Sequence, residues 1–198
     1  MKLSPLITTS LLSLSLLSIF SHAQGHQHSY GVTIGAGGGE YKHSTQDGDG
    51  FAQAYIFYNY QALEHFSIEV AYNSAIELDS WDCEEKYDDK WTCQTNNKPM
   101  FGLLANEFEL DGFVVAIKGQ VPISQRNSLY GKLGAQYYDY AFSRNGYTVE
   151  SEDGTGVLFE AGWQYQWDMG IGMNVGLRYQ DLGDLTLKSQ NIGISYAF

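Results

Sequence analysis

Segments in which apolar and polar positions alternate recur along the chain from residue 30 to its last residue. Ile192, Ile194, Tyr196 and Phe198 share one face of an extended segment, with Asn191, Gly193, Ser195 and Ala197 on the other. Upstream, Phe66, Ile68, Val70 and Tyr72 alternate with Ser67, Glu69, Ala71 and Asn73. Val157, Phe159, Ala161, Trp163, Tyr165 and Trp167 alternate with Glu160, Gly162, Gln164 and Gln166. One large apolar face and one small or polar face, in segments near ten residues, is the pattern of strands that cross a membrane as a closed barrel. It predicts strands over 30–36, 51–60, 66–73, a fourth ending at Val121, then 129–138, 157–167, 173–179 and the terminal run. The start of the fourth stays open between Phe101 and Asp111.

The connections alternate in length. Short ones fall at 61–65, 122–127 and 168–171; long polar ones at 37–50, 74–106 and 140–155, with a shorter one at 180–185. The first long connection is read as opening at Gly37-Gly38-Gly39. Short periplasmic turns opposite longer external loops are the habit of outer-membrane barrels, and an even strand count leaves both termini in the periplasm. The expected fold is all-β, an eight-stranded antiparallel up-and-down transmembrane β-barrel.

Charge settles which face is the lumen. Glu69, Lys118, Lys132, Glu160 and Arg178 all lie in the small, polar register. On the lipid side a Lys or Arg near the midplane would cost about 2–4 kcal/mol. A secreted ligand-binding barrel of the lipocalin kind has the opposite polarity, apolar inside and charged outside. Eight strands enclose only enough room for side chains, so these five residues are expected to form a charge network in a filled lumen.

The N-terminus fits export. Met1 and Lys2 precede an apolar stretch, Leu6 to Phe20, and Ser21-His22-Ala23 supplies small residues at −3 and −1. The expectation is a signal peptide over 1–23 and a mature barrel over 24–198. The stretch is too short for a comfortable membrane helix, and no later one approaches that length. Cys83 and Cys93, the two cysteines of the chain, share one segment of an exported protein, so a disulfide is expected between them. Acidic residues outnumber basic ones 23 to 11, which argues against nucleic acid as a partner. The 15 Tyr suit membrane–water interfaces.

The segments Phe66-Ser-Ile-Glu-Val-Ala-Tyr72, Ala116-Ile-Lys-Gly-Gln-Val-Pro-Ile123, Leu129-Tyr-Gly-Lys-Leu-Gly-Ala135 and Leu177-Arg-Tyr-Gln-Asp-Leu-Gly-Asp184, with the closing Tyr196-Ala-Phe198, resemble the OmpA/OmpX-type outer-membrane β-barrel domain family. The resemblance spans the chain from Tyr30. It implies an eight-stranded barrel in the outer membrane of a Gram-negative bacterium, with lumen charges at Glu69, Lys118 and Lys132. It makes Tyr196 and Phe198 the barrel-assembly signal. Gln164 stands where the family often has an acid, and Glu160 is the candidate substitute. The periplasmic peptidoglycan-binding domain of full-length OmpA-type proteins is not expected here.

Candidate chemistry is sparse. His43, beside Ser44 in the first external loop, is the one histidine placed to act as an outer-leaflet base, and a solvated loop residue is the expected reading. His26 and His28 are read as part of a polar tail rather than a metal site. Asp47-Gly48-Asp49-Gly50 lacks the remaining ligands of a calcium loop. The richest segment is 74–106. It carries Trp81, Tyr87 and Trp91 among seven acids from Glu77 to Asp89, and Cys83 and Cys93 would close a small loop worth about 2–3 kcal/mol of order. Large aromatic side chains make it the candidate recognition loop. The expected role is non-enzymatic, without cofactor or metal: envelope integrity and surface display, with adhesion through this loop. The alternative is a narrow porin-like channel for small solutes, with a lipid A-modifying enzyme behind it. Expected partners are outer-membrane lipid and lipopolysaccharide, the barrel-assembly machinery, and a host or surface ligand.

Overall fold

The computed structural model describes residues 27–44, 50–78, 81–85, 91–95, 100–103 and 105–198. Its strands are β1 (His28–Tyr41), β2 (Phe51–Leu63), β3 (Phe66–Glu77), β4 (Trp81–Glu85), β5 (Trp91–Thr95), β6 (Glu107–Pro122), β7 (Asn127–Arg144), β8 (Tyr147–Gln166), β9 (Ile171–Leu182) and β10 (Leu185–Ala197). Eight close into a barrel in the order β1-β10-β9-β8-β7-β6-β3-β2, every neighbouring pair antiparallel, and β4 and β5 form a separate hairpin.

The terminal run pairs with β1 from Ser29↔Ala197 to Tyr41↔Leu185. Beyond it Phe198 N–H donates to His28 O at 2.8 Å. Direct partners followed around the wall run from Gly38 through Lys188, Tyr179, Phe159, Leu133, Ile117, Ile68 and Tyr60, returning to β1 at His28. The stagger from residue 38 to residue 28 is ten positions. Over eight strands that shear tilts the strands by about 40°.

Polarity is inverted relative to a water-soluble domain. Phe113 is 67% exposed and Leu177 66%, whereas Glu69 is 0%, Glu160 3% and Arg178 3%. Aromatic rings mark the two edges of the apolar band. At the end bearing the termini and short turns, Tyr165 and Trp167 lie 4.8 Å apart and His28 stacks on Phe198 at 5.6 Å. At the other end Tyr72 meets Phe113 at 5.3 Å, and Phe159 faces Tyr179. Just above these, Asp111, Asp139 and Asp153 stand in one cross-strand row on the outer wall. Tyr72 donates to Asp111 at 2.6 Å, so the hydrocarbon ends there.

Several expected boundaries move. Gly37, Gly38 and Gly39 are strand, not loop: they pair with Ser189, Lys188 and Leu187. A Cβ on Gly37 would overlap Lys188 O, so glycine lets β10 approach at the closing seam. Segment 140–155, expected as a loop, is a hairpin extension of β7 and β8 through Asn145 (φ 52) and Gly146 (φ 77). Positive φ at both central residues is the two-residue turn that matches strand twist. His28, expected in a polar tail, opens β1 and accepts or donates with Tyr58 Oη at 2.6 Å. The fourth barrel strand, β6, starts at Glu107, and Pro122 ends it rather than following it. Residues 1–23, His26 and Asp47–Asp49 lie outside the described residues.

Valine at Gly37 should therefore abolish the folded, heat-modifiable band on SDS gels, because the seam must open. Alanine at Gly146, with no atom within 4 Å of its Cβ, should cost about 1 kcal/mol through its positive φ and leave the band intact. Equal behaviour of the two variants would refute the seam argument.

Candidate functional site

Strand register builds the lumen network. Lys132, Glu160 and Arg178 are direct cross-strand partners on β7, β8 and β9, all turned inward. Opposite charges placed side by side on one face attract. Arg178 Nε and Nη2 both reach Glu160 Oε2 at 2.7 Å, and Lys132 Nζ lies 3.4 Å from Glu160 Oε1. The same ammonium is 3.0 Å from Glu69 Oε1 across the lumen, so Lys132 bridges two carboxylates. Tyr130 donates to Glu160 at 2.7 Å and Tyr55 to Glu69 at 2.6 Å. The Arg178 guanidinium stacks over the Tyr55 ring at 3.9 Å. It also donates to Gln53 at 3.2 Å and Thr33 at 3.3 Å. Gln53, Gln180 and Gln136 continue the network through two bonds of 2.6 Å.

Of the five expected lumen charges, four meet in this cluster. Lys118 faces inward beside them, but its ammonium donates to Gln164 Oε1 at 2.6 Å and lies over the Tyr130 ring at 4.7 Å. Gln164 thus acts as an acceptor for Lys118, while Glu160 serves Lys132 and Arg178.

Above the network the lumen turns apolar, which the sequence pattern did not signal. Tyr41, Phe51, Phe108, Leu110, Tyr140, Phe142, Leu182, Leu185 and Leu187 are buried inside the wall. Phe101, from the short turn Met100–Gly102, drops onto them, 5.4 Å from the Phe142 ring and 6.1 Å from Tyr41. A clue lay in Glu107-x-Glu109-x-Asp111: acids on the outward positions of β6 place Phe108 and Leu110 inside, the reverse of the phase lower down. At the rim, Tyr138 and Tyr140 donate to Glu152 at 3.1 and 2.5 Å.

Below the network a polar vestibule of about 80 Å³ faces the end that bears the termini. Asn59, Ser67, Lys118, Gln120 and Gln164 are among its walls.

The external residues are more dispersed. His43, the sole candidate base, pairs with Asp184 at 2.9 Å and sits edge-on to Tyr41 on the exposed rim. Lys42 donates to Gly183 O in the neighbouring turn. In the β4–β5 hairpin the backbones of Cys83 and Cys93 are direct partners, with Trp81 opposite Thr95 and Trp91 opposite Glu85. Tyr87 lies outside the described residues. No group of three or more His, Cys, Asp or Glu able to hold a metal occurs among the described residues.

The family model of the outer membrane protein beta-barrel domain matches residues 9–198. The chain belongs to that family. This outer-membrane barrel is similar in fold to neisserial surface protein A, with TM-score 0.66 at 10% identity, over 88% of this chain and 99% of that one. It is similar also to Ail, the attachment invasion locus protein of Yersinia pestis: TM-score 0.57, 16% identity, 87% and 99% coverage. OprG of Pseudomonas aeruginosa gives TM-score 0.50 at 13% identity, over 89% and 99%. No curated protein matches the chain in sequence.

Removing one partner of the Arg178–Glu160 pair strands a buried charge. Arg178→Met should destabilise the barrel by about 3–5 kcal/mol in urea unfolding from phospholipid vesicles. Arg178→Met with Glu160→Gln should recover much of that loss. A single-variant cost below about 1 kcal/mol would refute the pairing.

Proposed function

We propose that this outer-membrane barrel is a non-enzymatic envelope protein that presents an external recognition hairpin on a closed wall. The carrying observation is that the lumen is filled at two successive levels. Glu69, Lys132, Glu160 and Arg178 tie opposite walls together at mid-depth. Phe101, Phe108, Tyr140 and Phe142 fill the external half. A barrel so filled serves as a rigid pedestal in the membrane.

The recognition element in this reading is the segment between β3 and β6. The direct opposition of Cys83 and Cys93 on β4 and β5 favours a cross-strand disulfide, since opposed Cβ atoms in an antiparallel pair come within bridging range. The oxidised hairpin would hold Trp81 and Trp91 on short paired strands, and aromatic side chains bind at low entropic cost. Ail bears attachment in its name, which supports adhesion as the class of activity. Lipopolysaccharide surrounds the acidic outer row Asp111, Asp139 and Asp153, where divalent cations would bridge carboxylates to lipid phosphates. Cleavage after Ala23 and delivery by the barrel-assembly machinery, with Tyr196 and Phe198 as its signal, belong to the same reading.

The polar vestibule favours a second reading, a narrow channel. Conduction would require both the ion network and the aromatic plug to part.

One experiment addresses each. Cells carrying a short turn in place of residues 79–99, which leaves β3 and Phe101 in place, should lose attachment to surfaces and host-type matrices by tenfold or more at matched, heat-modifiable expression. Unchanged attachment would refute the recognition hairpin. In planar bilayers the intact barrel should show no steady openings; regular openings would establish the channel instead.

A further inference from the structure

The periplasmic half of the lumen holds a charge that its own walls do not balance. Lys118 and Lys132 are direct cross-strand partners on β6 and β7, both turned inward. Like charges directly opposite each other destabilise a sheet. Lys132 is relieved by Glu69 at 3.0 Å and Glu160 at 3.4 Å. Glu160 is shared with Arg178. Between the aromatic plug and the periplasmic mouth, three cations therefore face two carboxylates among the described residues. Lys118 is the remainder: its contacts are the neutral Gln164 amide and the Tyr130 ring.

A confined ammonium with no counter-charge is costly, and it is relieved either by losing its proton or by taking on an anion. The space for one adjoins it. The vestibule of about 80 Å³ is lined by both Lys118 and Lys132, and opens between Gln27, Gln61 and Gln166. Its walls include Asn59, which is 5% exposed, and whose Oδ1 has no hydrogen-bond partner among the described residues. The nitrogen and oxygen ends of an asparagine amide are interchangeable by a half-turn of the side chain. That turn would offer an N–H donor from β2, two strands from Lys118 on β6. Ser67 on β3, the direct cross-strand partner of Lys118, adds a hydroxyl donor to the same walls. Gln120 and Gln164 hold each other at 2.9 Å, which fixes the amide that positions Lys118.

We propose that this vestibule is a binding site for one small monovalent anion of chloride or formate size, entering from the periplasm and held by Lys118 with Asn59. The Coulomb attraction of Lys118 and Lys132 selects a negative charge. The small volume selects against larger anions such as gluconate. The ion network above, with Arg178 locked on Glu160, stops the anion from travelling further, so the site is terminal rather than a step in a permeation path. Its effect is to complete the neutralisation of the lumen and to tie β2 to β6 through a shared ligand.

The test is thermal unfolding of the mature barrel in zwitterionic detergent, in sodium chloride against sodium gluconate at equal ionic strength. The wild type should unfold roughly 3–5 °C higher for each tenfold rise in chloride above its Kd, and show no such rise in gluconate. Lys118→Met should lose the chloride dependence, whereas Lys42→Met, on the external rim, should keep it. Equal midpoints in the two salts for the wild type would overturn the proposal, as would a Lys118→Met barrel as chloride-sensitive as the wild type. Bromide-soaked crystals of the wild type give a readout that needs no variant. One anomalous peak between Lys118 and Asn59 supports the site, and a vestibule without one overturns it.

Discussion

Backbone hydrogen bonding in hydrocarbon is the constraint from which the rest of this structure follows. An unpaired N–H or C=O facing lipid costs several kcal/mol, so a sheet that crosses a membrane must have no edge. Here the edge is removed by joining the first barrel strand to the last, from Ser29↔Ala197 to Tyr41↔Leu185. The seam restricts the sequence closely. Gly31, Gly35, Gly37 and Gly193 all turn inward there, each with no room for a Cβ against the opposite strand. Closure with a stagger of ten over eight strands then fixes tilt and width together. The narrow lumen is a consequence of that geometry, and so is the need to fill it with side chains.

Filling a narrow lumen with charge is stable only when partners are placed by register. Lys132↔Glu160↔Arg178 shows how: three successive strands each contribute one residue at the same level, and alternation of sign does the rest. Direct attraction is supplemented by Tyr55 and Tyr130, whose hydroxyls donate to the same carboxylate oxygens that face Lys132. The same register logic isolates Lys118, whose cross-strand neighbour is another lysine. A one-residue slip of β6 would turn Lys118 to the lipid and Val115 and Ile117 to the lumen, so the polarity of both faces holds the register.

Much of this was legible in the sequence because lipid and lumen impose opposite demands on alternate residues. Phe66-to-Tyr72 and Val157-to-Trp167 read as membrane strands from alternation alone, and the five lumen charges share one phase. The external half was less legible for a physical reason. Once β6, β7 and β8 rise above the lipid, the outer face meets water and turns acidic at Asp111, Asp139 and Asp153, while the inner face turns aromatic. The apolar and polar phases exchange sides, and alternation no longer distinguishes a strand from a polar loop. Segment 140–155 reads as a polar loop for that reason, although Asn145-Gly146 is a strong hairpin signal. Gly37-Gly38-Gly39 reads as a loop opening because glycine marks close approach at a seam as readily as it marks a turn. Phe101 had no signal at all, since its burial depends on a loop folding back onto a lumen already formed.

That last residue links the pedestal to what it presents. Phe101 adopts φ 51, a left-handed conformation that costs a non-glycine residue on the order of 1 kcal/mol. Burying its ring to 5% exposure against Tyr41 and Phe142 contributes about 2–3 kcal/mol, so the buried arrangement wins. Ala105, at 1% exposure, fixes the chain again just before β6. The segment that leaves β3 at Glu77 therefore re-enters the barrel through an anchored ring rather than through a free linker. Phe101 is one ring of the apolar plug, and the Arg178–Glu160 pair lies below it. The two levels of lumen closure are thus built differently: the upper one takes a ring from the external connection, and the lower one follows from strand register.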